Sequence, residues 1–311
     1  MCGIAGIIYR DGGGSRQVGH DMTQMLQAMK HRGPDSTGYA LYRPVEDGYV
    51  MHVKLAEMNG HRDFEFDERL RRQRRDVEAR VRALGARVDS IDSSSDHAMT
   101  MKFGLDGDLK ELADYVEDIK GVEVLSLGHS LEIVKDLGDA RTVAGDYGLD
   151  GFLGTHGIGH ARMATESDVD IANAHPYWAY PFPDVAVVHN GQLTNYHQWR
   201  RRLERAGHRF QSDCDSEIIA VYLAERMAQG DSLEESMRRS LSELDGVFTY
   251  LCVTEDALGM AKDELGAKPL VLYESDDIVA LASEEIAIRK VVDHEIETYD
   301  PYESEVMVWS R

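Results

Sequence analysis

The sequence predicts an α+β protein whose sheets are layered with helices and whose chain is interrupted by a second, smaller α+β unit. Three observations predict it. Many strands, with helices in blocks, suggest sheets layered with helices. From about residue 45 to 150 the character of the chain changes and a βαββαβ order appears, the signature of a ferredoxin-like unit. After Gly151 the first pattern resumes, so the unit reads as an insertion (45–150) in a discontinuous core of 1–44 and 151–311.

The elements follow in order. "CGIAGIIY" reads as a buried strand whose glycines allow close backbone approach. Asp21 reads as an N-cap, with Met22, Met25, Leu26 and Met29 on one helical face. Gly33 and Pro34 in "HRGPDSTG" break that helix, and "GYALYR" returns as a strand. In the insertion, 49–55 is a strand, and Phe66, Leu70, Val77, Val81 and Leu84 stripe a long arginine-rich helix. "ARVDSI" and "HAMTMKF" are strands, Leu109, Leu112, Val116 and Ile119 mark a helix, and "VEVLSL" closes the unit. The core resumes with "HGIGHARMAT" and "DVAVVHNGQ" as strand-then-loop segments and with helices over 194–206 and 215–227. Strands "VFTYLCV", "ALGMAKD", "PLVLYE", "IVALAS" and "EVMVWS" follow.

Composition narrows the function classes. With 34 Lys+Arg against 56 Asp+Glu the net charge is −22, a field that repels nucleic acid and anionic membranes. The basic stripe around 69–82 is read as a solvated helix face, and the insertion as a device that docks a partner or caps an amine route. Cys2, Cys214 and Cys252 form neither a disulfide framework nor a zinc site, which fits a reducing compartment. With no signal-like n-region and no apolar run of membrane-spanning length, a cytoplasmic location is expected.

Several short stretches can carry chemistry, each with a plainer alternative. If Met1 is removed, Cys2 carries a thiol and a free α-amine on one residue, a nucleophile with its own base of ordinary pKa about 7.7–8.0; equally, it is a small buried strand residue. Asn190 and Gly191 in "VHNGQ" offer two N–H donors for an oxyanion hole, or a tight turn. Arg162 and Thr165 in "GHARMAT" suit a carboxylate clamp, and Arg162 equally suits a salt bridge. Asp213, Asp215 and Glu217 surround a helix start, where a carboxylate can hold an ammonium or simply cap the helix. His175 in "NAHP" reads as a loop residue.

In this order, Cys2, "HRGPDSTG", "GHARMAT", "NAHP", "HNG" and "SDCDSE" resemble the class II glutamine amidotransferases, the N-terminal-nucleophile (Ntn) glutaminase domains. The resemblance covers 1–44 and about 151–290. It implies a four-layer αββα sandwich with the N-terminal cysteine at a sheet edge. It further implies Cys2 as nucleophile, its freed amine as base, and Asn190 with Gly191 as the oxyanion hole. Arg162 and Thr165 would then hold the glutamine α-carboxylate, Asp215 the α-ammonium, and His175 lies in the matching segment. Arg32 and Gly33 match the loop over the N-terminus and substrate. Met163 departs from the aromatic residue that many relatives carry after the arginine. The absence of a following synthase domain resembles the free-standing amidotransferase subunits of N-methylglutamate synthase and other split, glutamate-synthase-like complexes. The substrate expected is glutamine or an N-alkyl γ-glutamyl amide. No cofactor is expected in this chain; FMN, and as a second candidate an iron–sulfur cluster, would belong to partner chains, a synthase subunit and a β-helical subunit. The alternative is a non-catalytic glutamine-sensing or assembly subunit.

Overall fold

The structure is a computed structural model that describes residues 2–10, 15–45, 47–56, 64–95, 97–163 and 171–311. Met1 and Thr165, both named above, lie outside the described residues.

Two sheets face one another. The first has six strands in the order β13 (Val271–Glu274), β14 (Ile278–Ala282), β1 (Gly3–Tyr9), β8 (His156–Arg162), β2 (Ser36–Tyr42) and β7 (Leu131–Leu137). The second has five: β15 (Val306–Ser310), β12 (Ala257–Lys262), β11 (Gly246–Val253), β10 (Ala186–Leu193) and β9 (Tyr177–Trp178). Helices α1 (Val18–Ala28), α4 (Ala140–Tyr147) and α8 (Glu285–Ile288) cover the outer face of the first sheet. On the second, α6 (Asp215–Ala228) and α7 (Leu233–Glu243) take that role, with α5 (Tyr196–Arg205) packed on α6. The result is a four-layer αββα sandwich.

Strand periodicity explains the layering. In β1, Ile4 and Ile8 point into the space between the sheets, where they meet a core that includes Val188 and Leu251. Ala5 and Ile7 point the other way, to the helix layer holding Met22, Met25 and Leu26. Both faces of a central strand are therefore apolar, as the unbroken run "GIAGIIY" requires. Each isoleucine removed from water contributes about 1.5–3 kcal/mol.

The insertion has its own sheet, in the order β4 (Arg87–Ser95), β5 (Ala98–Gly104), β3 (Tyr49–Lys54) and β6 (Glu123–Gly128). Helices α2 (Phe64–Ala83) and α3 (Leu109–Glu117) connect these strands, and in chain order the sheet runs second, third, first, fourth, the ferredoxin-like arrangement. Phe66, Leu70, Val77 and Val81 are buried, so the stripe read in the sequence is the face α2 packs inward. β7 and α4 lie within 45–150 but join the main sandwich, β7 pairing with β2 along its whole length. The separate sheet thus spans Tyr49 to Gly128.

Two local readings are corrected. The first helix starts at Val18, one turn before Asp21, which instead accepts a hydrogen bond from the Tyr9 hydroxyl at 2.5 Å. β1 is an interior strand flanked by β14 and β8, so Cys2 sits where a central strand ends and not along an edge strand. Among the described residues, no helix is long and apolar enough to cross a membrane.

Candidate active site

The site lies where strands of the two sheets end together. Cys2 continues the series Ile4, Ile8 by two residues, so its side chain belongs to the inter-sheet side. The antiparallel register Gly3↔Ala161 also sets Cys2 beside Arg162, one step further along β8. The thiol is half-buried. Its Sγ accepts a hydrogen bond from the Met163 backbone N–H at 3.4 Å.

The backbone of Cys2 is held from two directions. Arg32 Nε donates to its carbonyl at 3.0 Å, and Asn190 Nδ2 donates to the same oxygen at 3.3 Å. Arg32 is itself aimed by Glu284, whose Oε1 lies 2.7 Å from Nη1. Burial pushes the Glu284 carboxyl up, but hydrogen bonds and charge from Arg32 and His31 outweigh it and hold the group below its ordinary range. Ser283, the neighbouring residue, accepts from Ile4 N at 3.0 Å and from Asn190 Nδ2 at 3.3 Å. The β14–α8 junction therefore ties the N-terminal strand to the Asn190 amide.

Gly33 works by close approach: a Cβ there would come within 2.4 Å of the Ala161 carbonyl oxygen. The next turn is fixed by Asp35 N, which donates to the Arg162 carbonyl at 3.1 Å. Gly191 has φ +142°, and a Cβ would overlap the Val247 carbonyl oxygen at 2.1 Å. Only glycine combines that backbone with pairing to Phe248. The Asn-Gly pair is thus strand, not the alternative tight turn.

β10 presents different residues to its two sides. Val188 belongs to the inter-sheet core and Val187 to the core under α6, so Asn190 faces Cys2 while His189 faces α6. There His189 Nδ1 and His175 Nε2 each lie 2.7 Å from the Ser216 hydroxyl. The hydroxyl has one proton and two lone pairs, so at least one of the rings donates its N–H to it. His160 stacks on His175 with centroids 4.1 Å apart. Burial, then the neighbouring cations, pushes His160 down to about 3 and His175 well below its ordinary value. Burial also lowers His189, opposed by Asp215. All three rings are neutral near pH 7.

Asp215 opens α6, and its Oδ2 accepts from Leu193 N at 2.7 Å, which binds the helix start to the end of β10. Its other oxygen is 3.4 Å from the Ser216 hydroxyl. Glu217 is buried, accepts from the backbone N–H of Gln211 and Ser212 at 2.7 and 2.8 Å, and holds the loop that precedes Asp215. Asp213 instead points outward to Arg200, 3.2 Å away.

The structure thus joins Cys2, Arg32 and Asn190 directly and sets Gly33 against the Arg162 backbone. It ties Asp215 to the strand that carries Asn190 and Gly191. His175 reaches the site through Ser216. Sequence reasoning missed Glu284, Ser283, Ser216, His189 and His160. For Ser283 and Glu284 the later "ASEEIAI" stretch was the available signal, and His189 adjoins the Asn-Gly pair.

The profile of a glutamine amidotransferase domain matches residues 160–290. "Putative glutamine amidotransferase" of Methanothermobacter thermautotrophicus is 40% identical over 98% of this chain and 99% of its own length. "Glutamine amidotransferase-like protein GlxB" of Rhizobium meliloti is 31% identical over 100% of this chain and 99% of its own. Among solved structures, the glutamine phosphoribosylpyrophosphate amidotransferase of B. subtilis superposes over 99% of this chain with a TM-score of 0.62 at 18% identity. The match spans 47% of that structure's chain, and it shows the Ntn-hydrolase fold. On its end-to-end likeness to the first two, this chain belongs to the glutamine amidotransferase family.

Proposed function

We propose that this chain is a glutaminase-type amidotransferase subunit that hydrolyses the γ-amide of glutamine, or of an N-alkyl γ-glutamyl amide, through a thioester on Cys2. The observation that carries the reading is the double clamp on Cys2. Arg32 and Asn190, from different parts of the fold, grip one carbonyl oxygen and leave the thiol beside an amide donor.

In this reading Met1 is removed, and the freed α-amine takes the thiol proton directly or through one water. The thiolate attacks the γ-carbonyl, and the tetrahedral oxyanion receives the Asn190 Nδ2–H and the Gly191 N–H. Collapse of that intermediate expels ammonia or the amine, which leaves with the proton held by the α-amine. Water then cleaves the thioester to glutamate. Arg162, with Thr165, takes the α-carboxylate and Asp215 the α-ammonium, so opposite charges fix the zwitterionic end while the amide lies at the thiol. His175 positions Asp215 through Ser216. Met163, softer than an aromatic residue, leaves room for an alkylated leaving group.

The released nitrogen goes to a glutamate-synthase-like partner in a hetero-oligomeric complex, such as the FMN-containing subunit of an N-methylglutamate synthase, with a β-helical subunit beside it. FMN and any iron–sulfur cluster belong to those partners. What supports this is a likeness to two relatives that runs over 98% and 100% of this chain and 99% of their own length. Cys2→Ala is expected to abolish glutamate release from glutamine while the thermal melt is retained. Full activity in that variant, or intact Met1 in the mass of the active protein, refutes the mechanism. Initial rates with glutamine and γ-glutamylmethylamide, with and without co-purified partners, decide the substrate.

A further inference from the structure

The inserted unit holds a cavity of about 1020 Å³ between α2, the end of β3 and the turn from α3 to β6, lined by none of the candidate site residues. Its volume is at the upper end of what small-molecule sites use. Five cations line it: Lys54, Arg69, Arg72, Arg80 and Lys120. Three acids join them, Asp76, Asp118 and Glu123. In a chain of net charge −22 that balance is reversed from the average.

Some of this charge is already answered. Glu123 lies 3.7 Å from Lys54 and 3.6 Å from Lys135, and Arg80 donates to the Tyr115 carbonyl. The side chains of Arg72 and Lys120 have no partner among the described residues. A concave wall with low-dielectric sides focuses such a field on whatever small anion enters.

A second observation is uncharged. Gln73 lines the same cavity and is only 4% exposed. Its Nε2 donates to the Lys120 carbonyl at 2.9 Å, which fixes the orientation of the amide. Its Oε1 is buried and without a hydrogen-bond partner among the described residues. Buried acceptors are normally satisfied, so this one calls for a donor that the described residues do not supply. Leu55, Ile119 and Val122 supply apolar wall for a carbon skeleton.

We propose that this cavity binds a small hydroxylated polyanion, a sugar phosphate or a hydroxycarboxylate, with its charge on Arg72 and Lys120 and a hydroxyl donating to Gln73 Oε1. A solvated arginine face explains neither the concavity nor the unsatisfied amide oxygen.

Isothermal titration of the full chain with orthophosphate, glucose 6-phosphate and citrate, at constant ionic strength set by chloride, tests it. Glucose 6-phosphate or citrate is expected to bind, and to separate the two chemical sources. Arg72→Glu with Lys120→Glu, both exposed and without structural partners, should weaken that binding at least tenfold with an unchanged melt. Gln73→Leu should weaken the hydroxylated probes more than orthophosphate. No heat above the chloride control for either hydroxylated probe overturns the proposal. So does binding by the double variant within twofold of the parent, and a preference for orthophosphate over both hydroxylated probes removes the role of Gln73.

Discussion

Asn190→Ala is the most informative single change. At rest, the Asn190 amide makes two long contacts, 3.3 Å to the Cys2 carbonyl and 3.3 Å to the Ser283 hydroxyl. Both are neutral and at the weak end of hydrogen-bond geometry, so together they contribute about 1 kcal/mol to stability. Ser283 keeps Ile4 N as a donor and Cys2 keeps Arg32, so neither of these two groups is orphaned and the fold should persist. In the proposed mechanism the same amide meets an oxyanion in the transition state, and such a donor contributes about 2.7–4 kcal/mol, or 10²–10³ in kcat. The difference between about 1 and about 3 kcal/mol separates a structural residue from a catalytic one. The expected result is kcat for glutamate release down 10²–10³, KM within about threefold, and a small loss in melting temperature. Asn190→Asp, similar in shape but acidic, should be at least as slow, because its carboxylate opposes the oxyanion. A kcat for Asn190→Ala within threefold of the parent refutes the oxyanion assignment.

Other predictions follow from the same geometry. Ser216→Ala leaves two buried imidazole nitrogens unpaired at about 1–3 kcal/mol each and loosens Asp215; KM should rise about tenfold with kcat nearly unchanged, and an unaltered KM breaks the link from His175 to substrate binding. His160, His175 and His189 are lowered in the fold, so the unfolded state takes up protons first; stability is full above about pH 6.5 and falls as pH drops below it, by about 1.4 kcal/mol per pH unit for each. Denaturant midpoints at several pH values should show that slope, and His175→Gln should reduce it by one histidine's share. Glu284→Gln removes the charge that aims Arg32; the lost charge-assisted bond is worth about 1.5–3 kcal/mol, reduced by partial exposure, so kcat/KM should fall about threefold to thirtyfold. Since Glu284 is held low, the parent keeps that latch above the ordinary carboxylate range and loses it as pH falls through the lowered folded value, and the activity difference from Glu284→Gln should close there.

What the sequence made legible was mostly local. β1 shows as an apolar run with small residues, and α6 begins at Asp215 as read, because both patterns are written in adjacent positions. The layering is also legible, since strands and helices cluster in blocks. α7 went unread although Ser232 and Glu235 form a capping box, a signal that four residues carry by themselves. β7 went unread for a different reason. Its alternation is short, and what makes it a strand of the main sheet is pairing with β2, far back in the chain. Glu284 belongs to the same class: no spacing connects it to Arg32, and only closure of β14 onto β1 brings them together. Each motif is contiguous in sequence and so is readable there, while the groups that hold those motifs in place depend on tertiary contacts.

The two faces of β10 explain why the motifs must be arranged as they are. Alternation along one strand turns Asn190 toward Cys2 and His189 toward Ser216 and Asp215, so in the proposed mechanism reaction and recognition lie on opposite sides of a single backbone. In the proposed mechanism a substrate held at Asp215 and attacked by Cys2 spans both sides, and Gly191 lies between Asn190 and the end of the strand that Asp215 binds at Leu193. Its φ of +142° and the space claimed by Val247 leave no room for a side chain. A one-residue slip in the pairing of β10 with β11 would turn Asn190 toward α6 and His189 toward Cys2, exchanging an amide for an imidazole ring. Pairing of Gly191 with Phe248 guards against that slip, because the overlap a Cβ would make there admits only glycine at the paired position. In the proposed mechanism Gly191 therefore serves twice: it offers an unobstructed N–H to the oxyanion, and its close approach to the paired strand holds the register that gives Asn190 its side.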